Sequence, residues 1–316
     1  MGLTAYVFPG QGAQSVGMGA DICRQHEGTQ ALFRAADETL GYPLSELIFQ
    51  GPEDELKLTY HTQPALLATS CAYLESLRDS GLQPDYVAGH SLGEYSALVC
   101  AGVMSFTDAV RTVRLRGEFM DQAVPAGQGA MAAVLGADRE ALAALCREVS
   151  EQAGTVEMAN VNCPGQIVVS GTAAGVQAIV ERGKEIGARR VVPLEVSGPF
   201  HSSLMEPAAS RLREVLQQVE MRDAAVPVVA NVTAGPVTKA EEIRELLVRQ
   251  VVSPVLWEDS INWLLSQGVD TFVEIGSGSV LTGLIRKIDR SAAVYTVNSV
   301  ESLEAAIAAL KNREGK

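Results

Sequence analysis

The chain has 316 residues, 47% of them hydrophobic, and carries 25 Lys and Arg against 38 Asp and Glu for a net charge of −13. That is enough apolar material for a sizeable core in one large domain or two unequal ones. The acidic balance argues against a nucleic-acid partner, which demands a basic surface to displace counterions, and no apolar run approaches the ~18 residues of a membrane span.

Five cysteines (Cys23, Cys71, Cys100, Cys146, Cys163) are widely spaced with no C-x-x-C pair, so neither a zinc site nor a redox dithiol is suggested. The start, MGLTAYVFPG, lacks a basic region and a long apolar stretch, and Tyr6 stands where a myristoylation motif needs Ser or Thr. A cytoplasmic protein with reduced, mostly packed thiols and no membrane partner is expected. Two runs, KEIGARR with Lys184, Arg189 and Arg190, and LIRKIDR with Arg286, Lys287 and Arg290, are local cationic patches for an anionic partner, or ordinary solvated charge.

In chain order, TAYVFPG reads as a short apolar strand ending in a Gly-rich loop. That loop fits a phosphate loop badly: after Gly10 and Gly12 comes Ser15 where G-x-G-x-x-G wants glycine, and GAQSVGMG has no Lys. LTYHTQP reads as a loop. DYVAGH is the next strand and LGEYSALVCAG the helix after it, with Ser91 between them in G-x-S-x-G. In that context the motif is a nucleophile elbow, whose tight turn presents the hydroxyl at the carboxyl end of the sheet. Gly89 and Gly93 avoid crowding in that turn and against the neighbouring strand.

FTDAVRTVRLRGEFMDQ is an amphipathic helix: Ala109, Val113, Arg116 and Met120 share one face, with Arg111, Arg114, Glu118 and Asp121 on the polar side. An arginine in an apolar stripe needs an anionic or dipolar partner. It is either tied to a buried acid or grips a substrate carboxylate bidentately.

Residues 127–198 have their own rhythm. AMAAVLG, DREALAALCREVS, VEMANVN, QIVVSGT, AAGVQAIVERGKEIG and RRVVPLEV give β-α-β-β-α-β, a ferredoxin-like unit inserted into a large α/β domain of residues 1–126 and 199–316. A site is expected in the cleft between the two.

A serine hydroxyl needs a base. Of four histidines, His26 lies in a polar helical stretch, His61 in a loop, and His90 should point to the other side of its strand. His201 remains, in the Gly-Pro loop VSGPFHSSLMEP before a helix with a capping box of Ser203 and Glu206. No acid after His201 stands out as a third member, leaving a backbone carbonyl to orient the imidazole. For the oxyanion, the Leu92 amide follows the nucleophile and the Gln11 amide lies in the first Gly-rich loop. VPVVANV and DTFVEIG are further buried strands, and the tail KNREGK reads as disordered.

The motifs FPGQGAQ, GHSLGE, VRLRGEFM, SGPFHSSLM, ANVTA, QVVSPVLWEDS and FVEIGSGSVLTGL, in this order, resemble the malonyl-CoA:acyl carrier protein transacylases of fatty acid synthesis and, more distantly, the acyltransferase domains of polyketide synthases. The resemblance covers nearly all of the chain. It implies a hydrolase-like α/β core with a central, mostly parallel sheet and an inserted ferredoxin-like domain. It also implies Ser91 as the acylated nucleophile, His201 as base, Gln11 and Leu92 as oxyanion amides, and Arg116 as the malonyl carboxylate anchor. Gln250 would orient the histidine through its main-chain carbonyl, with Met120 and Phe200 as further substrate-binding positions. Phe200 resembles the malonyl-selective pattern of the polyketide relatives. A ping-pong transfer from malonyl-CoA to holo acyl carrier protein, by a monomer with no metal or redox cofactor, is the activity implied. A trans-acting polyketide acyltransferase, a serine thioesterase or hydrolase, and a noncatalytic binding module are the alternatives.

Overall fold

The computed structural model describes residues 2–314. Among them run eleven strands: β1 Leu3–Phe8, β2 Tyr86–Gly89, β3 Gly129–Leu135, β4 Val156–Cys163, β5 Gln166–Thr172, β6 Arg190–Pro193, β7 Val228–Ala230, β8 Gly235–Val237, β9 Val255–Leu256, β10 Val269–Ile275 and β11 Ala293–Val297. They form two sheets. The larger has the order β11-β10-β1-β2-β7-β8, parallel except for the antiparallel edge strand β8.

Central parallel strands are covered on both faces and therefore read as continuous apolar runs. In β1 the side chains alternate between two cores: Tyr6 and Phe8 pack with the helix Thr59–Arg78, while Ala5 and Val7 pack with the helices Trp257–Ser266 and Val280–Ile288. β1, β2, β7 and β10 thus end side by side, and the loops leaving their carboxyl ends lie on one rim of the sheet. In open α/β sheets that rim is where sites are built.

The smaller sheet has the order β6-β3-β5-β4-β9. Its first four strands are mutually antiparallel and follow the β-α-β-β-α-β pattern read from the sequence, with the helices Arg139–Gln152 and Ala173–Arg182 sharing their core. The fifth strand, β9, comes from chain outside residues 127–198 and pairs in parallel with β4. An ion pair of 2.9 Å between Arg139 and Asp259 adds a polar tie across the same junction. The fold is the expected mixed α/β one.

Three local expectations are corrected. Residues of LTYHTQP from Thr59 onward are helical, and His61 lies in the first turn of Thr59–Arg78. The capping box of Ser203 and Glu206 does not form: Met205 caps the helix Glu206–Gln218 without a side-chain bond, and the Ser203 amide instead donates to Glu157 Oε2 at 2.6 Å. The short strands β8, β9 and β11 add to the strands that the sequence pattern predicts. The tail is helical through Glu314 rather than disordered, because Leu303, Ala306 and Leu310 bury one face of Val300–Glu314; Gly315 and Lys316 lie outside the described residues.

Candidate active site

β2 runs into the helix Gly93–Cys100 through a turn so tight that Ser91 sits at φ 50°. A non-glycine residue there is strained by of order 1–3 kcal/mol, and such strain persists only where the surroundings enforce it. The two flanking glycines enforce it sterically. A Cβ on Gly89 would collide with the backbone of Gly93 and Glu94, and one on Gly93 with the backbone of Phe8 and Pro9 at the end of β1.

His201 reaches the serine from 110 residues away along the chain. Its Nε2 lies 2.7 Å from Ser91 Oγ and its Nδ1 2.8 Å from the main-chain oxygen of Gln250. A carbonyl only accepts, so Nδ1 carries the proton and Nε2 is left to accept from the serine hydroxyl. His201 also holds a left-handed conformation, φ 58°, and is 4% exposed. Burial, with the Arg116 charge adding to it, pushes its pKa down to about 3.

The imidazole is therefore neutral, and able to act as a base, throughout the physiological range. For a neutral acyl thioester, kcat/KM between pH 5.5 and 7.5 is expected to stay flat within about threefold, with no inflection at the ordinary histidine value; an acid limb near pH 6.5 would contradict this. The same shift affects stability. Below about pH 6.5 the unfolded chain binds a proton at His201 that the folded protein refuses, so this contribution is lost as pH falls from about 6.5 toward 3.

Leu92 and Gln11 each line the cavity beside Ser91, and neither backbone N–H meets an acceptor among the described residues. Two free amides beside a hydroxyl bonded to an imidazole have the arrangement that a developing oxyanion would require. The Gln11 loop is held from several sides. Gly10 packs on the His90 carbonyl too closely for a side chain, Gly12 has φ 102°, Gln11 Nε2 donates to Thr59 Oγ1 at 3.3 Å, and Ser277 Oγ donates to the Ala13 carbonyl at 2.6 Å.

Arg116 is 1% exposed, and among the described residues its side-chain hydrogen bonds go to no carboxylate. Its partners are neutral: Gln63 Oε1 at 2.8 Å, Gln250 Oε1 at 2.9 Å and Ser91 Oγ at 3.1 Å, with the Tyr95 ring 5.6 Å from its guanidinium carbon. Its Nε has no acceptor among the described residues. A buried polar group left unsatisfied in a native structure calls for an explanation, and the guanidinium that carries it lies beside Ser91 at the cavity wall with only neutral partners. Of the two roles the sequence left open, a direct tie to a buried acid is absent.

Three further residues that hold this arrangement, Asn231, Glu94 and Gln63, carry no role in the sequence reading, although GHSLGE and ANVTA contain two of them. Asn231 Oδ1 accepts from the Ser91 amide at 2.7 Å, and its Nδ2 donates to the Gly89 carbonyl. Glu94 Oε2 accepts from the Asn231 amide at 3.0 Å and from Gln250 Nε2 at 2.9 Å. Gln250 works through its side chain as well as its carbonyl, since Nε2 also donates to the Ser91 carbonyl at 3.1 Å. Gln63, in the helix Thr59–Arg78, is the third amide of the set. For Asn231 and Glu94 the signal is position inside a motif; Gln63 lies in none of the motifs and breaks no periodic pattern, so no signal marks it.

Ser91, His201, Arg116, Gln11 and Leu92 line a cavity of about 130 Å³, with Met120, Met131, Leu194, Val196 and Phe200 as its apolar walls; Asn231, Glu94, Gln250 and Gln63 lie behind that lining. Met120 accepts from Gln63 Nε2 through its sulfur at 3.7 Å. His90 also contributes to the wall, but its ring turns away toward Asn162 Oδ1, at 2.8 Å, and the Trp257 ring. Among the described residues, no group of three or more His, Cys, Asp or Glu side chains could hold a metal ion, and no helix is long and apolar enough to cross a membrane.

Residues 5–312 match the family described as acyl transferase domain. The chain belongs to this acyl transferase family. A malonyl CoA-acyl carrier protein transacylase from Bacillus subtilis (strain 168) is 55% identical over 98% of this chain and 98% of its own length. The crystal structure of an acyl-carrier-protein-S-malonyltransferase from Bartonella henselae superposes with a TM-score of 0.95 at 44% identity, covering 98% of this chain and 100% of that one. A malonyl-transacylase solved in complex with its type II PKS acyl-carrier protein gives 0.94 at 44% identity, covering 96% and 99%. For an acyl transferase, a hydroxyl bonded to a neutral imidazole beside two free amides is a complete set for acyl exchange.

Proposed function

We propose that this acyl transferase moves a malonyl group from malonyl-CoA to the phosphopantetheine thiol of acyl carrier protein through a malonyl ester on Ser91, supplying fatty acid chain elongation. His201 Nε2 takes the hydroxyl proton as Ser91 Oγ attacks the thioester carbonyl. The amides of Gln11 and Leu92 receive the oxyanion. On collapse the imidazolium returns its proton to the departing coenzyme A sulfur. The second half runs in reverse, with the carrier thiol as nucleophile. Gln250 holds the imidazole through its carbonyl, and Phe200 and Met120 bound the space open to the acyl chain.

The observation that carries the malonyl assignment is that Arg116 Nη2 lies 3.1 Å from Ser91 Oγ. In a malonyl ester the free carboxylate is separated from the reacting carbonyl by a single methylene, so it falls within reach of that guanidinium. Arg116 then exchanges its contact with the neutral serine oxygen for bonds to an opposite charge, whose planar carboxylate matches the guanidinium fork. The names of the curated relatives support the same donor and acceptor.

For docking of the carrier, two exposed cationic patches break the acidic surface. Lys184, Arg189 and Arg190 at the outer edge of the small sheet, and Arg286, Lys287 and Arg290 at the end of Val280–Ile288, are exposed and stand as candidates. The five cysteines are all free, which suits work in the cytoplasm.

Intact-mass measurement tests the reading. Malonyl-CoA should add one malonyl group to the protein, and holo carrier protein should remove it while gaining the same mass. A hydrolase would lose the adduct to water before carrier was added, and a noncatalytic module would never form it.

A further inference from the structure

Behind the nucleophile lies a carboxylate that the transfer chemistry does not use. Glu94 is 2% exposed in the helix Gly93–Cys100, and the Gln250 side chain lies between it and Arg116: Nε2 donates to Glu94 Oε2 at 2.9 Å while Oε1 accepts from Arg116 Nη2 at 2.9 Å. The buried site therefore holds one cation and one anion, joined through a single amide. Resting on the malonyl reading above, we propose that loading of the malonyl group is coupled to protonation of Glu94, which keeps the buried site from carrying two carboxylates against one guanidinium.

The physical reason is charge balance in a medium that solvates charge poorly. Two carboxylates sharing one site cannot both ionise easily, and the proton goes to the one whose charged form is less well supported. The arriving carboxylate would take the guanidinium directly. Glu94 has only the Asn231 amide and Gln250 Nε2 as donors, and it already lies high: burial pushes it up to about 7, with Gln250, Asn231 and the more distant Arg116 opposing.

No other group facing the network is placed to take this proton. Burial and Arg116 hold His201 down to about 3, burial lowers His90, whose ring is bonded to Asn162, and Tyr95 on the helix of Glu94 is held protonated by burial. Arg116 is itself a cation. Formation of the ester converts a hydroxyl and a thioester into an ester and a thiol, with no net proton at pH 7.5, so any uptake reports linkage to the bound acyl group.

The experiment mixes the full-length protein at pH 7.5 in weak buffer, with a pH indicator, against excess malonyl-CoA, and counts adducts by intact mass in the same samples. Acetyl-CoA serves as the uncharged control. Uptake of roughly half a proton per malonyl adduct is expected, none per acetyl adduct, and none with either substrate for Glu94→Gln, which keeps shape and hydrogen bonding but cannot ionise. In the wild type the malonyl-to-acetyl ratio of kcat/KM should fall severalfold from pH 6.5 to 8.5, and in Glu94→Gln it should be flat.

Malonyl adducts that form without proton uptake overturn the coupling and leave the malonyl reading intact. Absence of a malonyl adduct overturns that reading and the coupling with it. Uptake that persists in Glu94→Gln assigns the proton elsewhere and overturns the role of Glu94. The two wild-type measurements decide the question even if the variant does not fold.

Discussion

Ser91→Ala is expected to abolish the acyl-enzyme and lower kcat by at least about three orders of magnitude, since no other hydroxyl shares the His201 Nε2 contact. The check is twofold: no mass increase with malonyl-CoA, and no transfer above the uncatalysed rate. Thermal stability should barely move, because alanine at φ 50° carries the same backbone strain as serine. Ser91→Gly separates the two effects further. Glycine adopts positive φ freely, so this variant should be equally inactive yet no less stable than the wild type in its melting temperature. A clear loss of stability in Ser91→Gly would mean that the turn is not under strain.

Arg116→Ala is expected to reduce kcat/KM for malonyl-CoA by about 10²- to 10⁴-fold, the equivalent of one or two charge-assisted hydrogen bonds. Acetyl-CoA should be spared, or used better, since the cavity then presents a neutral end. Comparison of the two acyl-CoA substrates in the same preparation is the measurement that matters. The substitution also opens a void under Tyr95 and leaves Gln63 Oε1 and Gln250 Oε1 without their donor, so some stability will be lost. That loss lowers both substrates together. Only a change in their ratio reports carboxylate recognition, and an unchanged ratio would make the arginine structural.

Much of the site was legible in the sequence because its parts violate local rules. A serine between two glycines at a strand-to-helix junction has a steric meaning, and Gly89 and Gly93 bear it out: each lies against backbone where a Cβ has no room. An arginine in the stripe Ala109, Val113, Met120 conflicts with helical periodicity, and it is buried as that conflict requires. The order of elements in residues 127–198 was readable because period-2 and period-3.6 patterns alternate cleanly there. Where the pattern was weak, the reading failed. β8 and β9 have only three and two residues, too few for any periodicity. Residues 58–64 contain Pro64, which reads as a breaker yet lies inside a helix almost entirely buried by its neighbours.

Sequence by itself determined the serine turn between strand and helix, the arginine that breaks an apolar face and the alternation that makes an α/β sheet, because each of these is fixed by interactions within a few residues. Tertiary structure decided which groups meet. His201 and Gln250 join Ser91 from 110 and 159 residues away, and Asn231 and Glu94 become one hydrogen-bonded unit across 137. No local pattern encodes such contacts: parallel strands brought side by side align their carboxyl ends, and only there do loops remote in the chain share one buried, poorly solvated space in which a charge must find its partner.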